Sequence, residues 1–513
     1  MAEQPVGGGQ HQSRPPGASA PHPAREKLGT GAPSLDLILG GGIPRDSLCL
    51  ITGPPGAGKT ILALQISFAA ARQGLQVIYF TNVSEPHAKL VEHMRGFGFY
   101  EPDLVGDRIR IYNITSQVRN KGFKETLDFI VDTVRSERAG LVIVDSFRGL
   151  KHVLDVSVRD RSSIFDLAAQ LSILGCTALL VGEYTALEAQ TEPEFAIADS
   201  ILSLGHMPDG MRERRQLRLT KMRGFSYLHG SHSFVINTEG LVAYPRQEAL
   251  VQAPSYRATN ERISTGLQAL DDMLFGGLIR SSSTLIAGSA GTGKTVLSLH
   301  FLAAGAQRGE PGLIVSFQEN PEQLALRADQ FGIGAQLGIG QLTEVLFLSP
   351  VELDLDAAAA AIRETVERLG VRRIVIDSVA ELENAAHEPE RFDDFLASLV
   401  GFMRGREVTT LMTREIPQIF GSDLSITSRG LSYIVDNILI LRYVELAGQI
   451  RRAITVLKNR GSDHDKSLHE LMMRNGKVMI GETFEGYSGL MSGTPRRQPE
   501  QPGSAERGAG GHS

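Results

Sequence analysis

The chain has 513 residues, 42% hydrophobic and 21% charged, the composition of a globular protein rather than a disordered one. Its 52 Lys and Arg against 58 Asp and Glu leave a net charge of −6, which argues against a protein whose main task is neutralising a nucleic-acid backbone. Cys49 and Cys176 both sit in apolar runs and cannot build a disulfide framework or a four-ligand zinc site, and there is neither a signal-peptide pattern nor an apolar run of roughly 20 residues, so a cytoplasmic location is expected and a membrane partner is not.

Taken from the N-terminus, residues 1–26 are rich in Pro, Gly, Ser and Gln, and 492–513 share that composition; both are expected to be disordered tails. Between them, LCLIT (48–52), QVIYF (76–80), LVIVD (141–145) and TALLVGE (177–183) are short Val/Ile/Leu runs. Patterns such as ILALQISFAAARQ (61–73) separate them. Continuous apolar runs indicate strands buried on both faces, and intervening helices imply a mostly parallel sheet flanked by helices. The segment 248–261 breaks the pattern and reads as a linker. Beyond it STLIAG (283–288), VLSLHFLAAGAQR (296–308), GLIVSF (312–317), RIVIDS (373–378) and TTLMT (409–413) repeat the alternation.

The repetition is in register. Lys59 and Lys294 are 235 residues apart, Glu85 and Glu319 are 234 apart, and Gly98 and Gly332 also 234. Asp145 and Asp377 are 232 apart, and Lys221 and Lys458 are 237 apart. A nearly constant offset over so long a stretch means that one α/β domain has been duplicated, as 27–247 and 262–491.

Each copy holds a phosphate-binding motif between a strand and a helix. Gly53, Pro54, Pro55, Gly56, Ala57, Gly58, Lys59 and Thr60 fit G-x-x-x-x-G-K-[ST], as do Gly288, Ser289, Ala290, Gly291, Thr292, Gly293, Lys294 and Thr295. Glycines let successive backbone N–H groups face one phosphate at a helix N-terminus. Each lysine reaches the β- and γ-phosphates of ATP, and Thr60 and Thr295 offer a hydroxyl to Mg²⁺. Asp145 and Asp377 end apolar strands, where an aspartate can hold the metal's water shell or cap the next turn. Glu85 and Glu319 follow the second strand of each copy. There they can orient a nucleophile, or act as carboxylates favouring a helix N-terminus.

Together these elements resemble the KaiC family, the duplicated RecA-like ATPases and autokinases of circadian clocks. The resemblance extends over about residues 27–494. It is carried by GAPSLDLILGGGIP (31–44), STGLQALDDMLFGG (264–277), TKMRG (220–224) and VDNILILRYVELAGQIRRAITVLKNRGSDHDKSLHELM (435–472), as well as by the phosphate loops. It implies tandem RecA-like P-loop domains and a homohexamer with ATP between neighbouring subunits. Lys221, Met222 and Arg223 would then serve the nucleotide of the first ring. Lys458, Asn459 and Arg460 would serve the second, with Arg452, Ser462, His464 and Lys466 at further nucleotide-contacting positions. Phe225 and Tyr227 stand where the family has polar contacts and are not carried over.

Two departures bear on function. The family has adjacent glutamates after the second strand, whereas Ser84 and Gln318 replace the first member here, leaving Glu85 and Glu319. The kinase base of the family matches Gln318. The family's adjacent Ser and Thr acceptors match Ser432 and Tyr433, so Ser432 is the expected acceptor. The expected function is an Mg²⁺-dependent ATPase with serine autokinase activity, acting in a clock or timing system. A KaiB-like partner is implied for the first ring, whereas the C-terminal tail does not resemble an activator-binding segment for a KaiA-like partner. The alternatives are a RecA-like DNA-dependent ATPase and a nucleotide-gated scaffold with little turnover.

Overall fold

A computed structural model describes residues 26–497 apart from 82–86, 154–160, 186, 210–211, 251–258, 387, 417–430, 447, 485–486 and 489–495. Ser84, Glu85, most of both expected tails and most of the expected linker lie outside the described residues. The chain divides into two compact units, residues 1–227 with 234–243 and residues 228–233 with 244–513. The division falls ahead of the expected linker, and Gln247–Leu250 form a short 3₁₀ turn with Gln247 buried. In the segment 492–513, Arg496–Arg497 pair antiparallel with Tyr487–Ser488.

The strands of the first large sheet are β1 (Leu48–Thr52), β2 (Val77–Thr81), β3 (Ile109–Asn113), β4 (Leu141–Asp145), β5 (Thr177–Gly182), β6 (Ser200–Asp209), β7 (Arg212–Met222), β8 (Ser231–Asn237) and β9 (Gly240–Tyr244). Those of the second are β10 (Ser283–Gly288), β11 (Gly312–Ser316), β12 (Thr343–Phe347), β13 (Arg373–Asp377), β14 (Thr409–Glu415), β15 (Asn437–Leu446), β16 (Gln449–Asn459), β17 (His469–Arg474) and β18 (Lys477–Thr483). The first is ordered β3-β2-β4-β5-β1-β6-β7-β8-β9 and the second β12-β11-β13-β14-β10-β15-β16-β17-β18, the same topology twice. Six strands of each run parallel, and β7 and β16 turn back antiparallel on β6 and β15. This is the tandem RecA-like α/β fold that the sequence implies.

The residues explain the layers. Every residue of β1 and β5 is buried, as a parallel strand covered on both faces requires. Helix α1 (Lys59–Arg72) is apolar nearly all round and buried along most of its length. Helix α2 (Phe123–Glu137) instead buries one stripe, Phe123, Leu127, Ile130, Val131 and Val134, and leaves its other face wet. In the second unit α3 (Lys294–Ala306) matches α1. Helix α4 (Pro321–Gln330) starts with a capping box in which Asn320 and Gln323 satisfy each other's backbone N–H groups.

One buried charge distinguishes the second core. Arg373 opens β13 with its side chain 1% exposed, and its Nε donates to Glu310 Oε2 at 2.7 Å. Its Nη1 donates to the carbonyls of Ser264 (2.8 Å) and Phe301 (2.9 Å). The matching residue of the first unit is Leu141, fully buried and apolar. Removing one member of a buried pair leaves the other short of a partner, whereas replacing both is often neutral. Glu310 keeps Arg280, whose Nη2 donates to its Oε1 at 3.0 Å, so Arg373→Leu is expected to cost the second unit about 3 kcal/mol, the lower end for a broken buried pair. Arg373→Leu with Glu310→Gln should recover most of that loss, as read from the denaturant midpoints of the full chain.

Candidate functional site: two phosphate loops at parallel strand ends

Parallel strands bring their C-terminal ends to one edge, and each unit gathers its polar side chains there. In the first unit Gly56 and Gly58 have φ of 74° and 94°. Gly293 of the second unit has φ of 108°. These left-handed backbone positions favour glycine, and with no side chain there the loop can turn its backbone N–H groups toward a phosphate.

Lys59 and Lys294, the first residues of α1 and α3, are buried. Lys59 Nζ donates to Pro54 O at 2.8 Å, and Lys294 Nζ to Gly288 O and Ser289 O at 2.8 and 2.9 Å. Burial pushes both ammonium pKa values below the ordinary lysine range, and nearby carboxylates push them back up: Glu183 and Asp145 for Lys59, Glu415 and Asp377 for Lys294.

The threonine and the strand-end aspartate meet in both units. Thr60 Oγ1 donates to Asp145 Oδ2 at 2.8 Å and Thr295 Oγ1 to Asp377 Oδ2 at 2.7 Å. The two aspartates are steadied differently. Tyr79 OH donates to Asp145 at 2.7 Å from β2, whereas Thr413 on β14 donates to Asp377. Burial pushes the Asp145 carboxyl above the ordinary range, against the hydrogen bonds from Tyr79 and Thr60. A hydroxyl and a carboxylate side by side are hard oxygen donors, the set that Mg²⁺ takes beside a polyphosphate.

Of the candidate catalytic groups, Gln318 donates to Glu381 Oε1 at 3.3 Å, while the Glu319 carboxylate is paired with Arg327 of α4. Glu319 N donates to Ser316 Oγ at 3.2 Å, which ties the turn to the end of β11. Their first-unit counterparts Ser84 and Glu85 lie outside the described residues.

The basic residues fall at two opposite ends. Arg452 Nε donates to Gly291 O at 3.1 Å, on the phosphate loop of its own unit. Sequence reading missed its counterpart Arg215, whose Nη1 donates to Gly56 O at 2.9 Å. The signal was present: Arg215 and Arg452 keep the 237-residue offset of Lys221 and Lys458. The K-x-R elements, in contrast, lie where the phosphate-loop strand begins. Lys221 pairs with Ile201 on β6, and β6 in turn pairs Ser200 with Cys49 of β1. Lys221 Nζ donates to Phe195 O (3.0 Å) and Ala196 O (2.9 Å), and Arg223 lies 3.7 Å from Asp199, which also accepts from Leu48 N. Met222 between them is buried. In the second unit Lys458 Nζ donates to Ser432 O and, at 2.6 Å, to Val435 O. Arg460 lies 3.8 Å from Asp436, which accepts from Ser283 N at the start of β10. Asn459 Nδ2 donates to Ser462 Oγ at 2.8 Å, and Lys466 pairs with Asp463 at 3.1 Å next to His464. By ladder register Lys221 is level with Leu50 and Lys458 with Leu285, each three residues, roughly 10 Å, before the phosphate loop of its own unit, and Arg223 and Arg460 lie further back.

The sequence pattern of the KaiC ATPases matches residues 28–248 and 263–485, one match for each unit. The circadian clock protein KaiC3 of Synechocystis sp. is 31% identical over 493 residues, 92% of this chain and 94% of its own. The circadian clock oscillator protein KaiC of Thermosynechococcus vestitus is 30% identical over 501 residues, 95% of each chain. That of Picosynechococcus sp. is 30% identical over 485 residues, 92% of this chain and 93% of its own. With both halves matched and the relatives aligned nearly end to end, the chain belongs to the KaiC ATPase family.

Proposed function

We propose that the protein hydrolyses ATP with Mg²⁺ at both phosphate loops, within a homohexamer that carries ATP between subunits and phosphorylates itself on Ser432. The observation that carries this reading is the position of the K-x-R elements. Lys221 with Arg223, and Lys458 with Arg460, lie at the strand end opposite the phosphate loop of their own unit, so a nucleotide they touch belongs to a neighbouring subunit. Such groups supplied in trans accelerate hydrolysis by about 10³–10⁵.

Within one site, Lys59 or Lys294 holds phosphate oxygens in a cradle of backbone N–H groups, and Arg215 or Arg452 fixes the shape of that cradle. Thr60 with Asp145, and Thr295 with Asp377, would hold the Mg²⁺, which when bound neutralises the charge developing between the β- and γ-phosphates. Glu85 or Glu319 orients the attacking water, and Arg327 fixes the direction of Glu319. Asn459, Ser462, His464 and Lys466 serve the neighbour's nucleotide beside Lys458 and Arg460.

Support for Ser432 comes from Lys458. Ser432 and Tyr433 are exposed on a short helix, Leu431–Ile434, and Lys458 binds the Ser432 carbonyl. The acceptor and the trans-acting lysine therefore share one edge and face the same neighbouring nucleotide. A role in a circadian clock is supported by the relatives' names, and a KaiB-like partner on the first ring is inferred from the family resemblance. A KaiA-like partner and nucleic acid have no such support. No helix among the described residues is long and apolar enough to cross a membrane, and we assign the protein to the cytoplasm.

Two measurements test this reading. Incubation with ATP and Mg²⁺ is expected to add a single phosphate per chain on intact mass, lost in Ser432→Ala and kept in Tyr433→Phe; no added mass would sink the kinase claim while leaving hydrolysis standing. The first site should also respond to pH through Asp145. Because its carboxyl titrates above the ordinary range, it protonates earlier as pH falls and gives up metal binding earlier. In Lys294→Ala, the Mg²⁺ concentration for half-maximal ATPase activity should rise as pH falls, before the ordinary carboxylate range near about pH 4 is reached; a profile flat down to that range would remove Asp145 from the metal site.

A further inference from the structure

A carboxylate stands against the phosphate-loop lysine of the first unit, and a second carboxylate occupies the same ladder position near the lysine of the other; neither the loop motif nor the strand-end aspartate accounts for them. Glu183 follows directly on β5, the strand paired with β1, and its Oε1 lies 3.6 Å from Lys59 Nζ. Glu415 ends β14, the strand paired with β10, and Gly288↔Glu415 is the last pair of that ladder. The two glutamates are 232 residues apart, the same offset as Asp145 and Asp377, so the duplication has kept one carboxylate at one place twice. The Lys59 side chain is 8% exposed whereas that of Glu183 is 48% exposed, so the carboxylate reaches the ammonium from the solvent side of the cradle. That is the side from which a polyphosphate must enter. Among the described residues the ion pair at Glu183 is with Lys59, and Arg414 beside Glu415 is engaged by Glu383, so no other cation explains the place of either glutamate.

We propose that Glu183 and Glu415 set the nucleotide affinity of the two sites by competing with the polyphosphate for the loop lysine. A phosphate oxygen and the carboxylate both need the same few ammonium hydrogens, two of which are already directed at loop carbonyls in the second unit. Each nucleotide that binds must displace the carboxylate and then stay close to its negative charge. Removing the charge while keeping the shape therefore tightens binding, the opposite of what the loss of a supporting contact would do. The lysine stays buried and hydrogen-bonded in either case, so the fold does not depend on the pair.

This inference rests on nucleotide binding at the two loops, and the experiment separates the two. Binding of Mg·ATP by the full-length chain is titrated for wild type, Glu183→Gln and Glu183→Asp, each in the Lys294→Ala background, and for Glu415→Gln in the Lys59→Ala background. Glu→Gln is expected to lower Kd by about two- to five-fold, the size of a partly exposed ion pair, and to lower KM without lowering kcat by as much. Glu183→Asp, which keeps the charge, should stay near the parent. Unchanged or weaker binding in Glu→Gln, with an unchanged denaturant midpoint, would overturn the proposal. A parent chain that bound no ATP at either loop would instead overturn the nucleotide reading itself.

Discussion

Each half of the molecule is organised round a lysine ammonium withdrawn from water at the start of a helix. A buried charge of this kind costs several kcal/mol unless partners surround it. The partners come from elements distant in sequence: loop carbonyls, the aspartates ending β4 and β13, and the glutamates at the ends of β5 and β14. They converge only because six parallel strands end at one edge. Strand order therefore has a direct chemical consequence. Placing β5 next to β1, and β14 next to β10, brings a carboxylate to the ammonium. One strand further out, β4 and β13 place an oxygen pair where a divalent cation would sit beside the phosphates.

The two halves satisfy that constraint with different side chains. Asp145 is held by Tyr79 from one flanking strand, whereas Asp377 is held by Thr413 from the other. The matching positions, Ile314 for Tyr79 and Val181 for Thr413, are fully buried and apolar, or nearly so, and cannot take over the hydrogen bond. Burial raises the pKa of Asp145 while the Tyr79 hydroxyl, by donating to the carboxylate, pulls it back down, so the pH response of the first site comes from burial. The core shows the same freedom: Leu141 in one half and the Arg373–Glu310 pair in the other open equivalent strands. Duplication has preserved the geometry of the edge while the means of support have diverged.

Much of this was legible in the amino-acid sequence, and what escaped did so for a physical reason. Unbroken runs such as LVIVD and RIVID announce strands covered on both faces, and a glycine loop between strand and helix announces a phosphate cradle. Tyr79, Thr413, Glu183 and Glu415 escaped because each belongs to an apolar run or its margin, where composition signals only a strand. What gives them a role is the neighbour across the ladder, and ladder register is set by long-range pairing. Arg215 was hidden for a related reason. It stands among other arginines on a strand that alternates them with buried Leu217 and Leu219, and only its equivalence to Arg452 marks it.

The same register divides the basic residues into two functions. Antiparallel return of β7 and β16 along β6 and β15 carries the chain from the phosphate-loop end of the sheet back to its beginning. Arg215 and Arg452 lie early on these strands and touch their own loop, while Lys221 and Lys458 lie at the far end and cannot. One hairpin thus carries part of its positive charge away from the site it begins beside. On the proposed reading, lysines spent on a neighbour's nucleotide would make each site incomplete in a single chain, so assembly and turnover would become one event. At the exporting end of the second unit the lysine also grips the Ser432 backbone. A phosphate placed on Ser432 would bring about two negative charges to that lysine and to Arg460, drawing them from the nucleotide they would otherwise serve.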